Sequence, residues 1–248
     1  MDEQAARALV RTLLVPSPYR IGEAARRGEI HYRLAFADGI AREFPETGEQ
    51  TVSADGDQVV VRVCANCGVD TMPGNVRSYL AANPWVQSDD RAIKAFARRY
   101  GRGRGVDVRM SRLAEAVRAH MDGPVEFRHY DSAVTALGSR SGDCTEFALL
   151  LAATARARGI PARIVYGLAY SSRFTGQSHV FSPHAWVQAW DGKRWRSYDA
   201  GLGRFDAGHI ALLVGDGRPE GLNAVLRTIA AVRIVDAAGV RGPVAGRR

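Results

Sequence analysis

The chain has 248 residues, of which 46% are hydrophobic and 24% are charged, and its formal net charge is +8. This length supports one large domain, or a medium domain with a smaller module, and the composition excludes long disorder and any need for stabilising disulfides or metals. No stretch approaches the ~20 consecutive apolar residues that cross a bilayer, and the acidic first residues differ from the basic start of a secretory leader. As written, the chain is expected to be soluble and cytoplasmic and to have no membrane partner, and the sequence leaves its compartment open.

The positive charge comes almost entirely from arginine, since Lys94 and Lys193 are the only lysines. The densest arginine run lies between Arg98 and Arg112, and it is the segment where nucleic-acid binding is worth considering. It lacks the interleaved aromatic side chains of single-strand binders, and no helix-turn-helix or zinc-finger spacing surrounds it. The run is therefore predicted to be a solvated helix surface, and no nucleic-acid partner is expected.

The first 78 residues are predicted to form a small β-rich module. A short helix over residues 3–14 stops before Pro16 and Pro18, because proline removes a backbone donor and disfavours helix in the residue before it. Residues 30–36 and 59–63 alternate apolar and other side chains with the period of two that marks half-buried strands. The second predicted domain spans residues 79–248.

Three cysteines occur, and two of them, Cys64 and Cys67, form a C-x-x-C pair. A structural zinc site needs two more ligands, and none follows nearby. A local disulfide, half of a zinc site completed by a distant histidine, and two inert buried thiols all stay open as interpretations. Cys144 is left as the candidate reactive thiol.

The segment around Cys144 predicts a helix that begins at this residue. Asp143, followed three residues later by Glu146 and then by an apolar run, is typical of a capping box. Gly159 is placed to end the helix, with Pro161 just beyond it. A thiol at the first helical position lies close to unpaired N–H groups and the positive end of the helix dipole, which favour the reactive thiolate.

A hairpin downstream carries a histidine and an aspartate. Two strand-like segments, residues 183–190 and 193–199, flank Asp191 and Gly192, a strong signal for a two-residue turn. In such a hairpin His184 and Asp199 lie directly opposite each other on one face, with Cβ atoms roughly 4.5–5.5 Å apart. This arrangement suits a base whose far ring nitrogen is oriented by a carboxylate, next to a thiol nucleophile.

Four further residues are candidates for contacting a substrate. Trp186 and Gln188 follow His184 on the same face of the predicted strand. His179 lies near the end of a Gly- and Ser-containing loop, residues 171–178, that could overhang the cleft, and it is the alternative base. His209, three residues after Asp206, is a further candidate for lining the site.

The chain resembles the transglutaminase-like superfamily of papain-fold thiol enzymes in residues 141–146, 157–167, 184–188 and 198–199 and in Trp195. The order of cysteine, histidine and aspartate, and the strand that follows Gly-Ile-Pro-Ala-Arg, are the pattern of this family. The resemblance covers roughly residues 80–215 and implies that Cys144, His184 and Asp199 form a catalytic triad. It also implies an α+β, papain-like fold in which a central helix packs on an antiparallel sheet.

The reaction implied is attack on a peptide or glutamine-type amide, with a thioester intermediate and transfer to water or an amine. A protein or peptide substrate is expected, and neither a cofactor nor a metal. Some animal members of the family use calcium, but no acidic, oxygen-rich loop indicates such a site here. The alternative is a catalytically silent binding or scaffold domain that keeps the fold.

Overall fold

The computed structural model describes residues 3–70, 75–127 and 130–239. In these residues the helices are α1 (Glu3–Thr12), α2 (Glu23–Arg26), α3 (Arg91–Tyr100), α4 (Val106–His120), α5 (Ala133–Ser139), α6 (Cys144–Ala157) and α7 (Pro219–Ala231), with a 3₁₀ helix over Val76–Leu80. The strands are β1 (Val15–Pro16), β2 (Ile30–Phe36), β3 (Gln50–Asp55), β4 (Gln58–Val63), β5 (Ala162–Phe174), β6 (Gln177–Trp190), β7 (Trp195–Tyr198), β8 (His209–Gly215) and β9 (Val232–Ala238).

The larger sheet and the helix α6 form the centre of the structure. Strands β1, β6, β5 and β8 lie side by side in that order, β7 pairs with β6, and every pairing is antiparallel. Helix α6 lies against β5 and β6, and its apolar side chains from Ala148 to Ala153 are buried because α3, α4 and α5 cover the helix as well. The predicted α+β architecture, with a central helix on an antiparallel sheet, is confirmed.

Local sequence signals account for the ends of the central helices. Asp90 accepts hydrogen bonds from the N–H groups of Ala92 and Ile93 and so caps α3. Gly159, just beyond α6, adopts φ +69°, a left-handed conformation that glycine reaches without steric cost. The chain then turns directly into β5, which places the start of α6 and the strands of the sheet within one compact unit.

A second, four-stranded antiparallel sheet takes the order β3, β4, β2 and β9. Strands β2 and β4 alternate buried and less buried residues, as the period of two predicts. The ring of Tyr32 in β2 meets that of Phe181 in β6 with centroids 5.5 Å apart, and the Tyr32 hydroxyl donates to the carbonyl of Ala207. Apolar residues from both sheets share one main core, and a smaller cluster in the larger sheet contains Val165, Trp186, Ala211 and Val214. The boundary between residues 78 and 79 stays a prediction, and β9 comes from the C-terminal side of it.

Cys64 and Cys67 form a disulfide in the structure, with a Cα–Cα distance of 5.7 Å. Of the interpretations left open by the sequence, the local disulfide is therefore the one observed. Disulfide bonds persist in oxidising compartments and are rare in the cytosol. The disulfide therefore does not support a cytoplasmic location, which stays a prediction. Within the described residues, none of the helices combines the length and the apolar character that crossing a membrane requires.

Candidate active site

Cys144 is the first residue of α6, as the sequence predicts. The Asp143 side chain accepts a hydrogen bond from the Thr145 N–H at 2.8 Å, and the Glu146 carboxylate accepts from the Asp143 N–H at 2.9 Å. The capping box is therefore present. Gly142 has φ +146°, and a Cβ atom there would lie 2.6 Å from Cβ of Glu146, so only glycine fits beside this cap. Short-range interactions thus place the sulfur at the helix start.

The hairpin that carries His184 has a different register from the predicted one. Gln188 faces Ser197 and Trp190 faces Trp195, so the loop has four residues rather than two. Asp191 explains the longer loop. Its side chain accepts hydrogen bonds from the N–H groups of Lys193 (2.8 Å) and Arg194 (2.9 Å) and so closes a four-residue turn. The predicted direct opposition of His184 and Asp199 is wrong.

His184 and Asp199 nevertheless meet. The register is shifted by two residues, and because side chains alternate with a period of two, an even shift leaves both on the same face. His184 Nε2 lies 2.7 Å from Asp199 Oδ2, and both side chains are buried. Since the carboxylate occupies Nε2, we assign the proton to that nitrogen, which leaves Nδ1 to exchange a proton with a substrate or thiol.

Cys144 and His184 line the same cavity, which has a volume of about 540 Å³. The Cys144 sulfur lies 4.0 Å from the carbonyl oxygen of Pro183, and the N–H of Ala185 also points to it. The sulfur therefore sits beside the backbone of β6 on both sides of His184. Helix α6 and strand β6 bring together the two groups that the sequence places forty residues apart.

The surroundings of Cys144 favour the neutral thiol. Burial raises its pKa well above the usual value, and the neighbouring Asp143 carboxylate adds to this, while the Ala185 N–H opposes it. The sequence predicts a thiolate at the helix start, but burial and the Asp143 carboxylate favour the neutral thiol as the resting form of Cys144. A base that takes the thiol proton during the reaction is needed, and His184 is the base that shares the cavity.

The capping carboxyls beside Cys144 share this environment. Burial and the charge of Asp143 raise the pKa of Glu146 to about 9, and burial also raises that of Asp143. Glu146 is therefore protonated at neutral pH. Protonation of Glu146 reduces the negative charge next to the sulfur. Two ionised carboxylates at this place would disfavour the thiolate form of Cys144 more strongly.

A second imidazole holds the other side of the Asp199 carboxylate. His209 Nε2 lies 3.0 Å from the same Oδ2 atom, and its Nδ1 lies 3.4 Å from Asp206, whose carboxylate is paired with Arg26 at 2.8 Å. Burial would raise the pKa of Asp199, but the two imidazoles outweigh it and hold that pKa below its usual range. Asp199 is thus a fixed carboxylate between two histidines.

His209 should make the stability of the protein dependent on pH. Burial lowers its pKa, but Asp199 and Asp206 outweigh this and raise it from 6.5 to about 9. When pH lies below the histidine pKa of the unfolded chain, the raised pKa of His209 contributes its full stabilisation to the fold. This contribution is lost as pH rises through about 9, the pKa in the folded protein. We expect the difference in unfolding free energy between the wild type and His209→Gln to narrow by about 2–3 kcal/mol from pH 6 to 10, measured with urea.

The comparison of two proteins in that measurement isolates His209 from Glu146. The raised pKa of Glu146 also makes stability fall as pH rises, but it does so equally in the wild type and the variant. A difference that stays constant over this pH range would contradict a cationic His209.

In the described part of the chain, His184, Asp199 and His209 form a group that could hold a metal ion, because their donor atoms all lie within 4.8 Å of one another. Both imidazole nitrogens, however, lie at hydrogen-bond distance from one shared oxygen, at 2.7 and 3.0 Å. These distances are those of charge-assisted hydrogen bonds, so N–H donors on the two imidazoles are sufficient to explain why the three side chains lie together.

The profile described as "Transglutaminase-like superfamily" matches residues 94–200, which include the start of α6, strands β5 to β7, and the contact between His184 and Asp199. These residues belong to the transglutaminase-like superfamily. The transglutaminase-like core thus contains Cys144, His184 and Asp199, whereas His209 follows it in the chain. None of the curated proteins matches the chain.

Several solved structures are similar to most of the chain. A candidate cysteine protease from Cytophaga hutchinsonii has 17% identity over 85% of this chain and 82% of its own, with a TM-score of 0.49. The periplasmic domain of TgpA from Pseudomonas aeruginosa has 17% identity over 86% of this chain and 80% of its own, with a TM-score of 0.46. Red sea bream transglutaminase has 11% identity over 71% of this chain and 47% of its own, with a TM-score of 0.36.

Trp186 and Gln188, two of the residues predicted to contact substrate, are instead hydrogen-bonded to other side chains of the protein. The Gln188 amide oxygen accepts from the fully buried guanidinium of Arg163 at 2.7 Å, and its amide nitrogen donates to Glu49 and Ser197. Trp186 donates to the Ser197 hydroxyl at 3.1 Å. Both side chains are buried, and neither is among the described residues that line the cavity of Cys144.

The two histidines predicted to contact substrate do not line this cavity either, although His209 adjoins Asp199. Residues 171–178 are not a loop but the ends of β5 and β6, which meet in a turn at Thr175 and Gly176. His179 therefore lies within β6, where Nδ1 is hydrogen-bonded to the Tyr170 hydroxyl at 2.7 Å. In the described residues, neither His179 nor His209 lines the cavity that Cys144 and His184 share.

The walls of this cavity come mostly from residues that the sequence patterns did not mark. Helix α1 contributes Leu9 and Val10, and α7 contributes Leu222 and Leu226. Both helices lie outside the transglutaminase-like core. Their apolar stripes are typical of helices packed on a core, so nothing in the sequence separates a cavity wall from an ordinary buried face.

Proposed function

We propose that this protein is a cysteine-dependent acyl-transfer enzyme that acts on peptide or glutamine-type amides through a thioester on Cys144. The observation that carries the proposal is the shared cavity of Cys144, at a helix start, and His184, whose far ring nitrogen is held by Asp199 at 2.7 Å. Nucleophile, base and orienting carboxylate are the three roles that this chemistry requires.

In the first step the sulfur attacks the carbonyl carbon while His184 takes the thiol proton on Nδ1. Because the pKa of Cys144 is raised by burial, proton removal must accompany the attack. The imidazolium that forms is stabilised by Asp199, which is ionised at neutral pH because its pKa is low. The backbone N–H of Cys144, at the positive end of α6, is the first candidate donor for the oxyanion.

The tetrahedral intermediate collapses when His184 returns the proton to the leaving amine and the C–N bond breaks. The acyl group is then a thioester on Cys144. Water or a second amine, deprotonated by the same imidazole, attacks the thioester and releases the free thiol. Hydrolysis and transamidation differ only in this second nucleophile, so the proposal covers both.

Trapping the acylated enzyme tests the proposal. With Cys64 and Cys67 in a disulfide, Cys144 is the one free thiol among the three cysteines of the chain, so any thioester must be on Cys144. The full chain is mixed with a p-nitrophenyl ester, quenched in acid, and measured by intact mass and peptide mapping. We expect one acyl group on Cys144, formed in a burst of p-nitrophenol, and acylation about 10²–10⁴-fold slower in His184→Ala.

The alternative, a catalytically silent domain, predicts a different outcome. Cys144 would then be acylated no faster than a free cysteine of the same pKa, and His184→Ala would not change the rate. Equal rates in wild type and variant, with both proteins folded by circular dichroism, would overturn the proposed function.

A further inference from the structure

The described residues that line the cavity beside Cys144 are mostly apolar. Asp143 and His184, which flank the sulfur, belong to the same lining. The rest of the wall consists mainly of aliphatic and aromatic side chains from α1, α7, the start of α6 and the segment before α5, among them Leu9, Val125, Phe127, Phe147, Leu222 and Leu226. A substrate bound to the sulfur must extend along these side chains.

Among the described residues of this wall, charged side chains are rare although the protein is rich in them. The chain has 34 lysines and arginines, yet the described residues that line the cavity include no lysine, arginine or glutamate. The carboxyl group of Asp143 and the imidazole of His184 are among these residues, and both lie beside Cys144. A charged substrate group deep in the cavity would therefore lose its hydration without gaining an ionic partner.

Apolar side chains are left exposed at the edge of the cavity. Leu9, Val125 and Leu202 are 52%, 49% and 45% exposed, and all three line it. Large apolar side chains that converge on one concavity from three separate segments mark a binding surface rather than a chance exposure. A bound apolar group would remove this surface from water.

We propose that the acyl donor carries a large apolar side chain, of leucine or phenylalanine type, next to the bond that is cleaved. This inference rests on the proposed function and specifies its substrate class. The cavity of about 540 Å³ is in the range of a small-molecule or short-peptide site, and it has room for more than one such side chain. Helices α1 and α7, outside the transglutaminase-like core, are then the elements that determine specificity.

Peptidyl chloromethyl ketones test this inference, because they label Cys144 without turnover. In this reaction the sulfur forms a bond to the methylene carbon, chloride leaves, and His184 accepts the thiol proton. The full chain is treated separately with the N-acetyl chloromethyl ketones of leucine, phenylalanine, glutamine and glutamate, and the rate of labelling is followed by intact mass. We expect the leucine and phenylalanine reagents to label Cys144 at least about tenfold faster than the glutamine and glutamate reagents.

Substitutions in the wall provide a second readout. Leu9→Lys changes a half-exposed residue and Leu226→Lys a partly buried one, so the first keeps the fold even if the second does not. Each should slow labelling by the leucine reagent at least about fivefold and speed labelling by the glutamate reagent. The matched control is Ile40→Lys, since Ile40 is 61% exposed and does not line the cavity.

The outcomes separate this inference from the proposed function. Labelling of Cys144 that depends on His184 but is as fast with glutamate or glutamine as with leucine would overturn the apolar substrate class and leave the acyl-transfer chemistry intact. Labelling by no reagent faster than that of a free thiol would overturn the proposed function itself. Faster labelling by the apolar reagents, together with loss of preference in Leu9→Lys and retention in Ile40→Lys, supports the inference.

Discussion

Replacement of Cys144 by alanine is expected to reduce the turnover of amide or ester acyl donors by at least about 10³-fold. Without the sulfur no thioester can form, and the remaining acceleration comes only from binding and from hydrogen bonds to the developing oxyanion. Steady-state release of a chromogenic or fluorogenic leaving group measures this effect. The acid-quenched variant should also show no covalent adduct.

The fold should survive this substitution. The Cys144 side chain is only partly buried, and its sulfur makes weak contacts with the backbone of β6, to the Pro183 carbonyl at 4.0 Å and to the Ala185 N–H. The matched control is the double variant Cys64→Ser and Cys67→Ser, which removes the other two cysteines and should retain activity. Turnover in Cys144→Ala within tenfold of the wild type would contradict a nucleophilic role.

Asp199→Asn is expected to reduce kcat/KM by about 10²–10⁴-fold while the chain stays folded. The carboxylate accepts hydrogen bonds from two imidazoles at one oxygen, Oδ2, and from the Leu202 N–H at the other. An asparagine amide cannot accept at both positions, so it no longer holds His184 in the tautomer that leaves Nδ1 free to act as a base. The stabilisation of the imidazolium is lost as well. Progress curves from pH 5 to 9 measure the effect.

Asp206→Asn is the matched control for this substitution. Asp206 is also a buried aspartate bonded to His209, but it lies on the far side of that ring and is paired with Arg26. Its replacement should cost stability and leave kcat/KM within about tenfold of the wild type, because the contact between His184 and Asp199 remains. Equal losses of activity in the two variants would show that Asp199 acts only through the stability of the cluster.

The start of α6 could be read from the chain because its cause is local. Asp143, Cys144 and Glu146 interact within three residues of one another, and the capping box forms as soon as this turn of helix does. The same holds for Gly142, whose conformation is required by contact with the side chain four residues later. No information from the rest of the fold is needed to place the sulfur at a helix start.

The hairpin shows where local reasoning stops. Its turn residues predict a two-residue loop, but the Asp191 side chain closes a four-residue loop, and the register moves by two. The pairing of His184 with Asp199 still forms, because side-chain alternation depends only on whether the shift is even or odd. The face was therefore predictable, while the residue directly opposite was not.

Long-range packing decided what surrounds these residues. Glu49 is brought by the chain before β3 to the amide of Gln188, which thereby becomes part of the buried core rather than of the cavity. His209 reaches Asp199 only because β8 lies beside β5 in the same sheet. Neither contact leaves a periodic or spaced pattern in the sequence, since the partners approach each other only after the sheets have formed.

By itself, the sequence determined the reactive residue types, the helix that begins at Cys144 and the strand face that carries His184 and Asp199. These follow from interactions over a few residues and from the alternation of a strand, which are the same wherever the segments lie. Only the tertiary structure decided the second imidazole on Asp199, the raised pKa of Cys144 and the apolar cavity between α1 and α7. Burial and charge at these positions depend on which distant segments pack together, and that is a property of the folded chain.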